Sequence, residues 1–218
     1  MLQAQIFTLY PEIFPGPLGK GLYGKALSNK NWDLKVVNIR DAAEDKHKTV
    51  DDTPFGGGSG MLLKADVLAK SLDQNKIEGG RIFYLSPKGK KLDQKLAQEL
   101  SQEKSISLIC GHFEGVDERI LSTRNIEELS IGDFILSGGE TASFVVLDSI
   151  LRLIPGVLGN EQSKRDESFE NNLLEYPQYT KPQVWEEKNV PEVLLSGDHS
   201  KIKDWRLSQS EAITRVRR

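Results

Sequence analysis

The chain has 218 residues, 38% of them hydrophobic and 28% charged, with a formal net charge of −3. That length suits one large domain or two small ones, and that charge argues against a protein that coats nucleic acid without preference. A single cysteine, Cys110, and three scattered histidines (His47, His112, His199) exclude an intramolecular disulfide and a zinc constellation.

No run approaches the ~18 consecutive apolar residues of a membrane span. The opening MLQAQIFTLYPEIF lacks a charged region leading into an apolar stretch and a cleavage site. A cytoplasmic protein with no membrane association is expected.

Leu2, Ala4 and Ile6 alternate with polar residues, which predicts a strand over Leu2–Leu9. Pro11, Pro15 and Pro17 turn the chain, and Leu18, Leu22, Ala26 and Leu27 predict a short helix ending near Asn29. Leu34–Ile39 reads as a second strand. The stretch Asp41–Gly60 is a long polar loop carrying Gly56-Gly57-Gly58, and loops of that length are often functional. Val67, Leu68 and Leu72 mark a helix, Arg81–Leu85 a third strand, Leu92, Leu96 and Leu100 another helix, and Ile106–Cys110 a fourth strand.

Strands alternating with helices predict an α/β fold: a mostly parallel sheet with helices on both faces. The stretch from Leu108 to Gly156 organises the rest. Its fourth strand ends at Gly111 in the loop GHFEGVDER. A further apolar strand, Ile131–Leu136, is broken at Gly132 and closed by Ser137-Gly138-Gly139-Glu140. The apolar segment Thr141–Ile154 then stops at Pro155-Gly156 and predicts a buried helix. Strand ends that spill into glycine loops are where α/β proteins build ligand pockets.

After Gly159 the composition changes. Asn160–Glu170 is almost wholly polar, and Asn171–Pro191 holds three prolines with Tyr176, Tyr179 and Trp185. A last helix starts near Lys201, with Ile202, Trp205, Gln209, Ile213 and Val216 on one face. From Asp198 onward six Lys or Arg stand against three acids, which reads equally as a solvated face or a basic patch. The expected partition is residues 1–159 as an α/β domain, 160–172 as a linker and 173–218 as a small helical domain.

No dinucleotide or P-loop fingerprint is present. Glu114, Asp117 and Glu118 cluster beside the first glycine loop, with Arg119 as a structural partner. Arg152 lies inside an apolar run, where a charge is costly unless it is paired or reaches solvent.

The blocks ICGHFEGVDER, SIGDFILSGGE and LRLIPGVLGN, with FTLYPEIF near the start and SGDHSKIKDWR near the end, resemble the bacterial tRNA (guanine-N1)-methyltransferase family of the SPOUT class. The resemblance covers nearly the whole chain. It implies a deep trefoil knot, which periodicity alone does not reveal and which chain-crossing rules disfavour. It implies S-adenosylmethionine as methyl donor, held by Pro87, Gly111, Glu114, Ile131, Gly132, Asp133, Phe134, Ile135, Leu136, Gly138 and Gly139. It places the triple glycine near the cofactor and a flipped base. It assigns Glu167 as the catalytic base, aligned with a family Asp and one methylene longer, with Asp166 beside it. Arg152 becomes the cation that stabilises charge on guanine O6. His112 and Phe113 stand where many relatives carry Arg and Tyr. The resemblance further implies tRNA as substrate, a homodimer whose active site is shared between subunits, and a possible Mg²⁺ requirement that has no signature in the sequence. The rivals are a SPOUT enzyme acting on another RNA position and an RNA-binding protein that keeps the fold without chemistry.

Overall fold

A computed structural model describes residues 1–158 and 173–217. The chain divides into two compact units, Met1–Gly159 and Asn160–Arg218. The linker residues 160–172, with Asp166 and Glu167, lie outside the described residues.

The first unit is built on a parallel sheet of five strands: β1 (Leu2–Thr8), β2 (Trp32–Asn38), β5 (Arg81–Lys91), β6 (Ser105–Ile109) and β7 (Glu127–Ser130), in the order β2-β1-β6-β5-β7. A separate antiparallel pair joins β3 (Asp51–Asp52) to β4 (Leu62–Leu63). It closes the long polar loop at its base.

Helices α1 (Gly21–Ser28), α3 (Gln94–Ser101) and α5 (Gly139–Leu151) pack on one side of the sheet. Leu2, Ala4 and Ile6 of β1 share a cluster there with Leu96, Leu100, Val146, Leu147 and Ile150. Helices α2 (Ala65–Gln74) and α4 (Glu118–Thr123) take the other side, where Phe7 and Ile109 meet Val67, Leu68, Leu72 and Ile120. Because both faces are covered, every residue of β6 is buried, as parallel sheets require. Removing Leu108, which has no exposed surface, should cost about 2–5 kcal/mol through lost transfer energy and the cavity left behind.

Local chemistry sets the helix boundaries. The Asp93 side chain accepts from the amide of Leu96 at 2.7 Å and starts α3. Asp117 does the same for α4 through the amide of Arg119 at 3.0 Å. Across the sheet edge, Arg81 donates to Glu127 of β7 and Glu99 of α3. Those two carboxylates, Glu127 first, push its guanidinium pKa further up.

Two expectations need correction. The apolar run Ile131–Leu136 is a loop and not a strand. β7 stops at Ser130, whose hydroxyl accepts from the amide of Gly132 at 3.1 Å and donates to its carbonyl at 3.1 Å, turning the chain out of the sheet. Phe134 and Ile135 are therefore exposed, by 53% and 82%. The third strand also runs past Leu85 to Lys91, because after a register shift Lys90 and Lys91 pair with Leu129 and Ser130 of β7.

In the second unit a short antiparallel pair, β8 (Val184–Trp185) and β9 (Lys188–Asn189), precedes α6 (Glu192–Leu195) and α7 (His199–Arg217). Ile202, Trp205, Gln209 and Ile213 of α7 are half-buried as the spacing predicts, whereas Val216, in the last turn, is 86% exposed.

Candidate functional site

The carboxyl ends of β6, β5 and β7 lie side by side, and the segments leaving them wall one cavity of about 300 Å³. From β5 come Tyr84, Leu85, Ser86, Pro87 and Lys88. The loop after β6 contributes Gly111 to Val116. The loop after β7 contributes Ile131, Gly132, Phe134, Ile135 and Leu136, and then Gly138 and Gly139 lead into α5. Of the eleven residues expected to hold a cofactor, ten line this cavity. Asp133 does not: its side chain is 91% exposed and points to Lys91, 3.9 Å away.

The walls are chemically divided. Leu85, Leu129, Ile131, Leu136 and Ala142 give an apolar slot, and Glu114 and Glu118 add carboxylates. Glu118 lies 3.4 Å from Lys88. Asp117 turns instead to Arg119, with contacts of 2.9 and 2.6 Å, and that guanidinium holds its pKa down to about 2. Burial pushes the Tyr84 phenol up to about 12.

Close backbone approach explains the glycines. The amide of Gly139 donates to the carbonyl of Gly111 at 3.0 Å, and a Cβ on Gly139 would stand 2.6 Å from Cys110 Cα. A Cβ on Gly111 would sit 2.6 Å from the Tyr84 ring. Gly132 adopts φ 151°, a conformation that side chains disfavour, and a Cβ there would press on the Phe134 ring.

Gly56, Gly57 and Gly58 do not line the cavity, and nothing stands within 4 Å of their Cβ positions. The downstream end of their loop is nonetheless stitched to the site, because the amide of Glu114 donates to the carbonyl of Met61 at 2.9 Å.

Arg152 is the C-cap of α5, whereas Gly139 at the opposite end of that helix lines the cavity. Ala142, also in the wall, is ten positions from Arg152, about 15 Å at ~1.5 Å per residue. The structure therefore does not bring Arg152 to the cavity of its own chain. Glu167 lies outside the described residues.

Two residues missed by sequence reasoning support the site. Thr8 and Glu140 form a buried hydrogen-bonded cluster with His112, which lines the cavity. The available signal was an acid, Glu140, opening an otherwise apolar helix.

The second unit holds a cavity of about 430 Å³ lined by Tyr176, Tyr179, Trp205, Lys181 and Arg206 among others, with no carboxylate among the described residues of its wall. Arg206 stacks over the Tyr176 ring at 4.8 Å. Tyr179 and Trp205 lie 6.3 Å apart, centroid to centroid.

Comparison with known proteins gives a consistent answer. The family model described as tRNA (Guanine-1)-methyltransferase TrmD matches residues 2–218. A tRNA (guanine-N(1)-)-methyltransferase of Pelagibacter ubique is 89% identical over 218 residues, covering 100% of this chain and 96% of the relative. Proteins of the same name from Bartonella tribocorum and Brucella canis are 56% and 55% identical over 216 residues. Each alignment covers 99% of this chain, with 93% and 88% of the relative.

Proposed function

The chain belongs to the tRNA (guanine-1)-methyltransferase family TrmD, and we propose that it transfers a methyl group from S-adenosylmethionine to N1 of the guanosine at tRNA position 37, just 3′ of the anticodon. The observation that carries this reading is the cavity at the ends of β5, β6 and β7, formed by the blocks on which the resemblance rests. It lies at the small end of ligand pockets, which span about 300–1,000 Å³. Its apolar slot suits a flat adenine, and Glu114 and Glu118 suit the positive charges of an amino acid and a sulfonium.

When bound, S-adenosylmethionine supplies an electrophilic methyl group and leaves as S-adenosylhomocysteine. The rest of the chemistry falls to the chain. Guanine N1 carries a proton at neutral pH, so a base must take that proton as the N–C bond forms. Glu167 is proposed for that role, and the Arg152 guanidinium for holding O6 as negative charge builds there.

Arg152 stands about 15 Å along α5 from Ala142 in the wall of its own cavity. We therefore assign Arg152 to the cavity of a second subunit, and Glu167 with it, as the family's shared site implies. Support for a dimer comes from α5 itself. Thr141, Val145 and Asp148 form an exposed face on this otherwise apolar helix, with Val145 42% exposed. Ile13, 41% exposed, precedes Phe14, whose ring packs on Phe144 of α5 at 5.0 Å.

The family fold implies a trefoil knot. Supporting it, the start of α5 runs against the loop after β6 through the Gly139–Gly111 contact. For tRNA, the aromatic and cationic cavity of the second unit offers stacking faces and positive charge. Among the described residues no group of three or more His, Cys, Asp or Glu forms a metal cage.

The test is incubation with labelled S-adenosylmethionine and a tRNA transcript, followed by nucleoside analysis. 1-Methylguanosine is expected. Label on another nucleoside would indicate a different RNA position, and no transfer would indicate an RNA-binding protein without chemistry.

A further inference from the structure

One carboxylate ties together the two glycine loops of the cavity. Glu140, the second residue of α5, is 6% exposed. The Thr8 hydroxyl at the end of β1 donates to its Oε1 at 2.5 Å. His112 Nε2, from the loop after β6, lies 2.9 and 2.8 Å from Oε1 and Oε2. The amide of Tyr10 donates to the Thr8 hydroxyl at 2.9 Å, and the Tyr10 ring stands edge-on to the imidazole at 5.0 Å. A Cβ on Gly138 would overlap both the imidazole and the carboxylate, so the pair lies flush on the backbone entering α5. A carboxylate this buried is costly unless its partner carries the opposite charge.

We propose that His112 is a positioning residue that latches the Gly111–Gly115 loop onto Glu140 and so holds the S-adenosylmethionine cavity in its binding shape. The proposal rests on the cofactor reading above. The loop's ties through Gly139 to Gly111, Glu114 to Met61 and Leu63 to Gly115 are backbone hydrogen bonds. The His112–Glu140 contact is made by side chains, so a substitution can remove it alone.

The groups facing the imidazole are Glu140 from α5 and Tyr10 from the segment after β1. Tyr84, Lys88, Glu114 and Glu118 share the cavity wall, and Cys110 precedes the loop. Burial pushes the Cys110 thiol up, and the Tyr84 phenol to about 12.

The experiment is calorimetric titration of the whole protein with S-adenosylmethionine at a single pH. The proteins compared are the wild type and the variants His112→Arg, His112→Leu and Glu140→Gln. Losing or weakening a hydrogen bond to a buried carboxylate should raise the Kd about five- to tenfold in His112→Leu and Glu140→Gln. His112→Arg, which keeps a donor to Glu140, should bind as the wild type does. Amide exchange at Gly139 and Glu114, measured without cofactor, should be faster in His112→Leu and Glu140→Gln.

A wild-type Kd in His112→Leu or Glu140→Gln, or a weakened one in His112→Arg, overturns the latch. If the wild type takes up no S-adenosylmethionine, the cofactor reading falls instead. Exchange then decides the latch alone, and equal rates in wild type and Glu140→Gln overturn it.

Discussion

The amide of Gly139 donates to the carbonyl of Gly111 at 3.0 Å, so the first turn of α5 meets the loop after β6 backbone to backbone. No side chain fits between them, since a Cβ on Gly139 would approach Cys110 Cα to 2.6 Å. Gly139→Ala should push the two walls of the cavity apart. Overpacking of this kind typically costs about 1–3 kcal/mol. A lowered thermal midpoint together with weakened S-adenosylmethionine binding is expected, read by calorimetry of both processes.

Gly132→Val strains a backbone held at φ 151° and drives the Phe134 ring out of its place in the cavity wall. The loop lies beyond the end of β7, so the fold should survive. Near-native circular dichroism with cofactor affinity lost is the expected result. Undiminished affinity would remove Gly132 from the site.

Val145 is exposed in the middle of α5. In a dimer that buries this face, a charge there would be desolvated without a partner, at a cost of several kcal/mol. The wild type should sediment as a dimer at micromolar concentration, and Val145→Asp should shift it towards the 24.4 kDa monomer. A wild-type monomer would contradict the shared site.

Arg215 and Arg217 are exposed on the last turn of α7, whereas Arg206 is half-buried over the Tyr176 ring. Neutralising Arg215 and Arg217 should weaken tRNA binding and flatten its log–log salt dependence by about 0.7–0.9 for each phosphate that is no longer neutralised. Cofactor affinity should not change. An unaltered slope would mean that these charges only face solvent.

Asp117 caps α4, and its pKa is held at about 2 by the side-chain hydrogen bond from Arg119. A lowered carboxylate pKa stabilises the fold above the ordinary value of about 4. That contribution fades as pH falls towards about 2. The pair is exposed, so the effect is small. Thermal midpoints taken between pH 5 and pH 3 should fall less in Asp117→Asn than in the wild type.

The sheet and its glycine loops were legible because they depend on local signals. Ile106–Cys110 is uniformly apolar and ends at a glycine, and Leu96 and Leu100 recur at helical spacing. The end of β7 was not legible. It is set by the Ser130 hydroxyl closing on Gly132, and the apolar residues that follow serve a cavity and not the core. The Thr8–Glu140 contact joins residues 132 positions apart, which periodicity does not reach. The separation of Arg152 from Gly139 was within reach, since the helix length and its rise per residue already imply it. The start of α4 was also signalled, by Asp117 ahead of an apolar pair.

A mixed dimer tests the central claim, N1 methylation in a site shared by two subunits, most directly. One subunit carries Gly132→Val and the other Glu167→Gln, and the heterodimer is purified through two different tags. Each parent homodimer should be inactive. In the heterodimer one site combines both defects and the other has an intact cavity with an intact partner Glu167. It should therefore make 1-methylguanosine at about half the wild-type rate. A heterodimer as inactive as its parents, or a methylated product other than 1-methylguanosine, would contradict the account.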